Sequence, residues 1–149
     1  HPYCLKIFRQ RWYMLAHTPG KEELRIYSLD RIADIEVLDT PLLLPENFDA
    51  ADFFSDYFGI IIGHNIKPSI LELKASAEQA KYLESLPLHS SQEVVETTPE
   101  YTIFRYRIVP TFDLKQEILS RGATLEVLSP EWFREEVISE INKMMKKYD

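Results

Sequence analysis

Apolar and polar residues alternate in three stretches near the start of the chain. Residues 3–8, YCLKIF, set Tyr3, Leu5 and Ile7 against Cys4, Lys6 and Phe8, the two-residue period of a strand. Residues 11–17, RWYMLAH, set Arg11, Tyr13, Leu15 and His17 against Trp12, Met14 and Ala16, the face expected to be core. Residues 23–29, ELRIYSL, set Leu24, Ile26 and Ser28 against Arg25, Tyr27 and Leu29. Arg9-Gln10 is a short polar link, and Thr18-Pro19-Gly20-Lys21 is a turn with its backbone set by Pro and Gly. Residues 3–35 therefore predict a small antiparallel meander. A Pro-punctuated connector over 38–47 leads to a helix over 49–58, capped by Asn47 or Asp49. Phe53, Phe54, Tyr57 and Phe58 give that helix an aromatic face. Gly59 and Gly63 bracket Ile60-Ile61-Ile62, and residues 64–69 read as a linker.

The second half has a regular rhythm. Residues 70–75 predict a strand, and Ser76 to Gln79 has the spacing of a capping box opening a helix that runs to Leu86. Pro87 and the polar residues 89–92 end it. Strands follow over 92–97 and 101–109, then a helix over 113–120 closed by Gly122 at the left-handed position. Residues 123–128 form the last strand. Ser129-Pro130-Glu131 opens the last helix with a cap, a first-turn Pro and a first-turn acid. Phe133, Val137, Ile141, Met144 and Tyr148 recur at helical spacing and mark its buried stripe. The order β-α-β-β-α-β-α is a split β-α-β unit with one extra helix.

Composition narrows the class. At 149 residues and 45% apolar, the chain can bury a core as one ordinary domain or two very small ones. The net charge of −7 argues against wrapping duplex DNA by bulk electrostatics and leaves room only for a local basic patch. Cys4 is the lone cysteine, so neither an internal disulfide nor a Cys-His zinc site is expected, and a reducing cytoplasmic setting is the natural reading. No apolar run is long enough for a membrane span, and no signal peptide is visible. A start at His1 directly into strand-like sequence suggests a piece of a longer protein.

Candidate chemistry is sparse. No serine sits in a nucleophile-elbow setting, and neither a P-loop nor a GxGxxG is present; Gly59 to Gly63 has neither the spacing nor the following Lys. His17, His64 and His89 lie in a turn and connectors and read as solvated loop histidines. The adjacent pairs Glu22-Glu23 and Glu135-Glu136 diverge in space and cannot share a substrate atom. The chain is therefore read as no enzyme, with no cofactor and no metal. The first half is richer. Arg11 and Tyr13 on one strand, and Arg25 and Tyr27 on the next, can hold an anion that carries a flat ring. The plainer alternative is a half-exposed sheet whose arginines pair with Glu22, Glu23 or Asp30. Arg105 and Arg107 form a second basic pair, which Glu72, Lys74 and Glu126 can neutralise across the sheet.

These residues resemble a known family. Trp12-Tyr13-Met14, followed by Arg25-Ile26-Tyr27-Ser28-Leu29-Asp30-Arg31-Ile32, resembles the WYL domain of bacterial transcriptional regulators. His1-Pro2-Tyr3-Cys4-Leu5 resembles its entry strand. Gly122, residues 125–128, Ser129-Pro130, Trp132 and Arg134-Glu135-Glu136 resemble the α/β extension that follows it. Met14 stands where the name-giving Leu would be, a swap of similar volume. The resemblance implies an α+β fold: a partial Sm-like antiparallel β-barrel over 1–63, then a small ferredoxin-like βαββαβ extension with a C-terminal helix over 64–149. It implies a cytoplasmic ligand-sensing and dimerisation region whose effector is a nucleotide or single-stranded nucleic acid. Duplex DNA would be bound only through a helix-turn-helix domain preceding this chain. Tyr13, Arg25 and Arg31 match the family's motif positions; face alternation adds Arg11 and Tyr27, and the resemblance sets Arg25 and Tyr27 of the partner strand beside Tyr13. The expected barrel is incomplete, with an open edge near residues 3–8 that invites a second chain. The alternative is a protein-interaction or oligomerisation module with no small ligand.

Overall fold

The computed structural model describes residues 1–63 and 66–148. The first strands form where the alternation predicts them: β1 at Pro2–Phe8, β2 at Arg11–His17 and β3 at Leu24–Ser28, joined antiparallel in the order β1-β2-β3. Arg9 and Gln10 make the β1–β2 turn with φ of 46° and 64°, the left-handed pair that a two-residue hairpin needs. The sheet does not close into a barrel, and β1 is an edge strand.

Helix α1 is shorter than its apolar pattern predicts, Ala50–Phe54 instead of 49–58. Its start is the expected one: the Asp49 carboxylate accepts from the amides of Ala51 at 2.7 Å and Asp52 at 3.0 Å. Its end is decided elsewhere, because the Asp56 carbonyl accepts from the Val109 amide at 2.8 Å and draws the chain onto the second sheet. The aromatic residues of this region pack on β1, Phe8 against Phe58 and Tyr3 against Phe48, with Lys6 Nζ 3.9 Å above the Phe54 ring. The linker expected over 64–69 begins at His64 and Asn65, outside the described residues.

The second sheet holds β4 (Ser69–Ser76), β5 (Glu93–Thr97), β6 (Tyr101–Ile108) and β7 (Leu125–Ser129) in the order β5-β6-β4-β7, every neighbour antiparallel. With α2 (Ala77–Ser85) and α3 (Phe112–Ser120), this is the split β-α-β arrangement read from the element order. Leu71, Leu73, Phe104, Tyr106 and Val127 point to one face and are buried under Leu83, Leu114, Ile118 and, from α4 (Glu131–Met145), Phe133. Local signals account for the boundaries. The Ser76 hydroxyl accepts from the Gln79 amide at 3.3 Å, and Gly122 sits at φ 58° just past α3. Pro130 is the cap residue of α4 and not its first-turn residue, since the amides of Phe133 and Arg134 donate to its carbonyl. Of the stripe expected to be buried, only Phe133 and Val137 are; Ile141, Met144 and Tyr148 are exposed, because the chain runs on past the core and they line an open groove beside the end of α3. On the opposite face Arg105 is held by Glu72 at 2.8 Å, as expected, but Arg107 is held at 2.6 Å by Asp56, and Glu126 pairs with Arg134.

Candidate functional site

A cleft of about 290 Å³ lies where the first sheet meets α3. Phe8, Arg9, Arg11 and Tyr13 form its near wall. Ile60 and Ile61 form the floor, and Phe112, Asp113 and Gln116 the far wall. Arg9 is there because its left-handed turn residue lifts the side chain off the end of β1 toward α3. Its guanidinium reaches Glu117 at 3.0 Å, and the same carboxylate holds Arg121 at 2.5 Å. Arg11 is paired with Asp30 at 2.9 Å. Both cleft arginines are thus neutralised by carboxylates: Asp30 is half-exposed, where such a pair contributes little and exchanges readily, whereas Glu117 is mostly covered.

The floor is fixed by Asp113, which is buried. Its Oδ2 accepts from the Ile60 amide at 2.8 Å and the Ile61 amide at 3.1 Å, while Oδ1 accepts from the Thr111 hydroxyl and the Leu114 amide. Nothing local in the sequence marks Asp113 as more than a first-turn acid; the one trace of its role is the Gly59 that lets the loop approach it. Lys6 lies near this carboxylate. Desolvation lowers its ammonium from the usual value, with the Asp113 charge opposing that shift.

The expected five-residue site is divided by the sheet. In β2–β3 the register pairs Tyr13 with Ser28, Met14 with Tyr27 and Ala16 with Arg25. Residues paired across antiparallel strands share a face. Arg11 and Tyr13 therefore face the cleft, with Leu15 fully buried behind them. Arg25 and Tyr27 lie on the reverse face with Trp12, Met14 and Ala16. This corrects the expectation that Arg25 and Tyr27 stand beside Tyr13. It also corrects the reading of Trp12 as core, since Trp12 is 49% exposed, beside Leu5 and Ile7 at 56% and 57%. The Tyr27 hydroxyl is engaged with Thr18 Oγ1 at 2.7 Å. Arg25 and Arg31 are exposed and make no ion pair among the described residues, Arg31 at the end of the 3-10 turn Leu29–Arg31.

The histidines also differ from expectation. His17 Nε2 lies 2.8 Å from the Lys21 carbonyl in its turn. His89 is not a solvated loop residue but half-buried, its Nδ1 2.8 Å from Ser91 Oγ and accepting from the Ser91 amide at 3.2 Å. Burial holds its pKa below the usual value, opposed by a bond to the Ser55 backbone and by the Asp56 charge. The Ser91 hydroxyl is committed to the backbone of Arg107, accepting from its amide and donating to its carbonyl. This Ser-His pair is a turn lock and not a nucleophile with its base. His64 lies outside the described residues. Among the described residues no cluster of His, Cys, Asp or Glu can hold a metal ion, and no helix is long and apolar enough to cross a membrane.

The fold and site define an α+β chain of two antiparallel sheets joined across a cleft with paired arginines. The WCX domain model matches residues 69–145 and the WYL domain model residues 1–37, so the chain belongs to the WCX family and carries a WYL segment ahead of that domain. A comparison with curated proteins finds no match. Among solved structures, proteasome accessory factor B/C (PafBC) of Arthrobacter aurescens is similar at 18% identity and a TM-score of 0.47, covering 99% of this chain and 22% of that one.

Proposed function

We propose that this chain is the ligand-sensing and dimerisation region of a bacterial transcriptional regulator, acting in the cytoplasm without catalysis. Residues 1–63 are the sensor and 64–149 the extension. The effector is a nucleotide or a short single-stranded nucleic acid. The observation that carries the reading is the cleft, where Arg9 and Arg11 flank Tyr13 and face Phe112 across a floor held by Asp113. Guanidinium groups take phosphate in two-pronged bonds, and Tyr13 and Phe112 offer rings for a base to stack on. An entering phosphate exchanges with Glu117 and Asp30 for their arginines. Because Glu117 is on α3 and Arg9 on the first sheet, that exchange alters the bridge between the two sheets. In this reading Arg31, next to Asp30 in the chain, supports the same ligand once Asp30 is released; Arg25 and Tyr27 belong to a different surface.

The test is a titration of mononucleotides and short oligonucleotides by calorimetry. Arg9→Ala with Arg11→Ala abolishes binding, whereas Arg25→Ala leaves it within a small factor. Unaltered binding in the double variant refutes the cleft, and loss only in Arg25→Ala moves the site to the reverse face. The second reading, a protein-interaction module with no small ligand, is favoured by the exposed Leu5, Ile7 and Trp12 of that reverse face. It gains if no nucleotide or oligonucleotide binds.

A further inference from the structure

Most of the polar side chains that line the cleft are already engaged. Arg9 is held by Glu117 and Arg11 by Asp30, and Asp113 is saturated by three amides and a hydroxyl. Tyr13 and Gln116 differ: both are half-buried, and neither makes a hydrogen bond among the described residues. Tyr13 stands on the strand wall with the arginines. Gln116 stands opposite, on α3, four residues after the exposed Phe112. That spacing is one helical turn, so the open ring and the unpaired carboxamide share one face of the far wall. A carboxamide at that depth has given up part of its water and gained no partner for it.

The two walls divide a ligand between them. A phosphate that meets Arg9 or Arg11 leaves the rest of its nucleotide facing α3. At about 290 Å³ the cleft is at the small end of ligand pockets, which suits a single nucleotide unit. What Gln116 reads there follows from its atoms. Its side chain sets one acceptor, Oε1, beside one donor, Nε2. Adenine offers the complement, a ring-nitrogen acceptor beside its 6-amino donor, on both of its free edges. Guanine shows two acceptors on its N7 edge and matches a carboxamide only through O6 and N1, with its 2-amino group left over. Pyrimidines cover less of an aromatic ring than purines do, so they gain less from Phe112.

We infer that Gln116 reads the base of the effector and selects adenine. The base lies on Phe112, its 6-amino group donates to Gln116 Oε1, and Nε2 donates to the adjacent ring nitrogen. The inference rests on the nucleotide-binding part of the function proposed above and adds to it the residue that discriminates between bases.

Calorimetric titration with adenosine, guanosine, cytidine and uridine 5′-monophosphates, and with short homo-oligonucleotides of the same bases, tests it. The wild type binds the adenine member of each series about tenfold more tightly than the guanine member, the discrimination that one two-pronged base contact supplies. Gln116→Ala binds all members alike. Gln116→Glu turns to guanine, because a carboxylate only accepts: it pairs with the N1–H and 2-amino donors of guanine and opposes the lone pairs of the adenine ring nitrogens. Its added charge acts on the phosphate common to every member and cancels in the ratio between bases. A residue that merely supports α3 would weaken all bases together and leave their order unchanged. A wild type that binds nucleotides without preferring adenine, a Gln116→Ala chain that keeps the preference, or a Gln116→Glu chain that does not turn to guanine overturns the inference and leaves the effector reading standing. A wild type that binds no nucleotide or oligonucleotide overturns both.

Discussion

Gly59 packs directly beneath the carboxylate of Asp113. A Cβ at position 59 would meet Asp113 Oδ2 and would lie 2.7 Å from Phe8 Cζ, closer than real side chains approach. Neither neighbour can yield, because Asp113 is held by two loop amides and Phe8 is packed edge-on against Phe58. Gly59→Ala is therefore expected to destabilise the chain by about 1–3 kcal/mol, the usual cost of overfilling a packed site. Urea unfolding followed by circular dichroism measures it; an unchanged midpoint would show that the loop and β1 separate easily.

Asp113 itself is the stronger test of the joint between the two sheets. Its two oxygens serve three backbone amides and one hydroxyl. Asp113→Ala strands the amides of Ile60 and Ile61, and a buried donor left unpaired costs about 1–3 kcal/mol. Asp113→Asn keeps one acceptor oxygen and should fall between wild type and Ala. Hydrogen exchange localises the effect: the amides of Ile60 and Ile61 lose protection in both variants, while those of β4 and β6 keep it. Equal loss across the whole chain would deny Asp113 its role at this joint.

Much of this was legible because it is local. The Asp49 cap and the left-handed Gly122 are written within a few residues of the helices they bound and form as read; of the capping box at Ser76 only the hydroxyl half forms, the Gln79 side chain turning to Thr124 instead. The WYL motif across Trp12 to Ile32 was equally readable, being a matter of residue types at short spacing. What alternation could not supply is strand register. Which face of β3 meets Tyr13 depends on whether paired numbers add to an odd or an even sum, and the six residues between β2 and β3 decide it. The observed pairs, such as Tyr13 with Ser28, put Arg25 and Tyr27 behind the sheet. The length of α1 and the role of Asp113 were hidden for a related reason. Both are settled by bonds spanning more than fifty residues, Val109 to Asp56 and Ile60 to Asp113, with no local sign.

His89 makes stability depend on pH. Its pKa in the folded chain lies below the ordinary 6.5, with burial as the main cause. In the unfolded chain it takes a proton as pH falls through about 6.5, while the folded chain resists doing so. The unfolded state then binds more protons, and stability contributed above that pH is lost as pH falls toward the folded value. The wild-type melting temperature should thus drop as pH falls from about 7 to about 5. His89→Asn keeps an acceptor for the Ser91 amide and removes the titration, so its drop should be smaller. Identical slopes for the two proteins would mean that the shift at His89 is not what drives the loss.

Glu117 is expected to compete with the proposed effector. It holds Arg9 from across the cleft at 3.0 Å, and it also holds Arg121 within α3. If phosphate binds Arg9, the ion pair must break first, and the ligand loses whatever that pair contributes. Arg9 is half-exposed although Glu117 is mostly covered, so the pair contributes on the order of 1 kcal/mol, and Glu117→Gln should tighten nucleotide or oligonucleotide binding by about fivefold. The variant also leaves a further positive charge unneutralised, so its affinity should fall more steeply with added salt than that of the wild type. Asp30→Asn should act in the same direction through Arg11. Calorimetric titrations at two salt concentrations separate the possibilities. Weaker binding in Glu117→Gln would mean that the carboxylate positions Arg9 for the ligand instead of opposing it, and no change in either variant would place the phosphate away from both arginines.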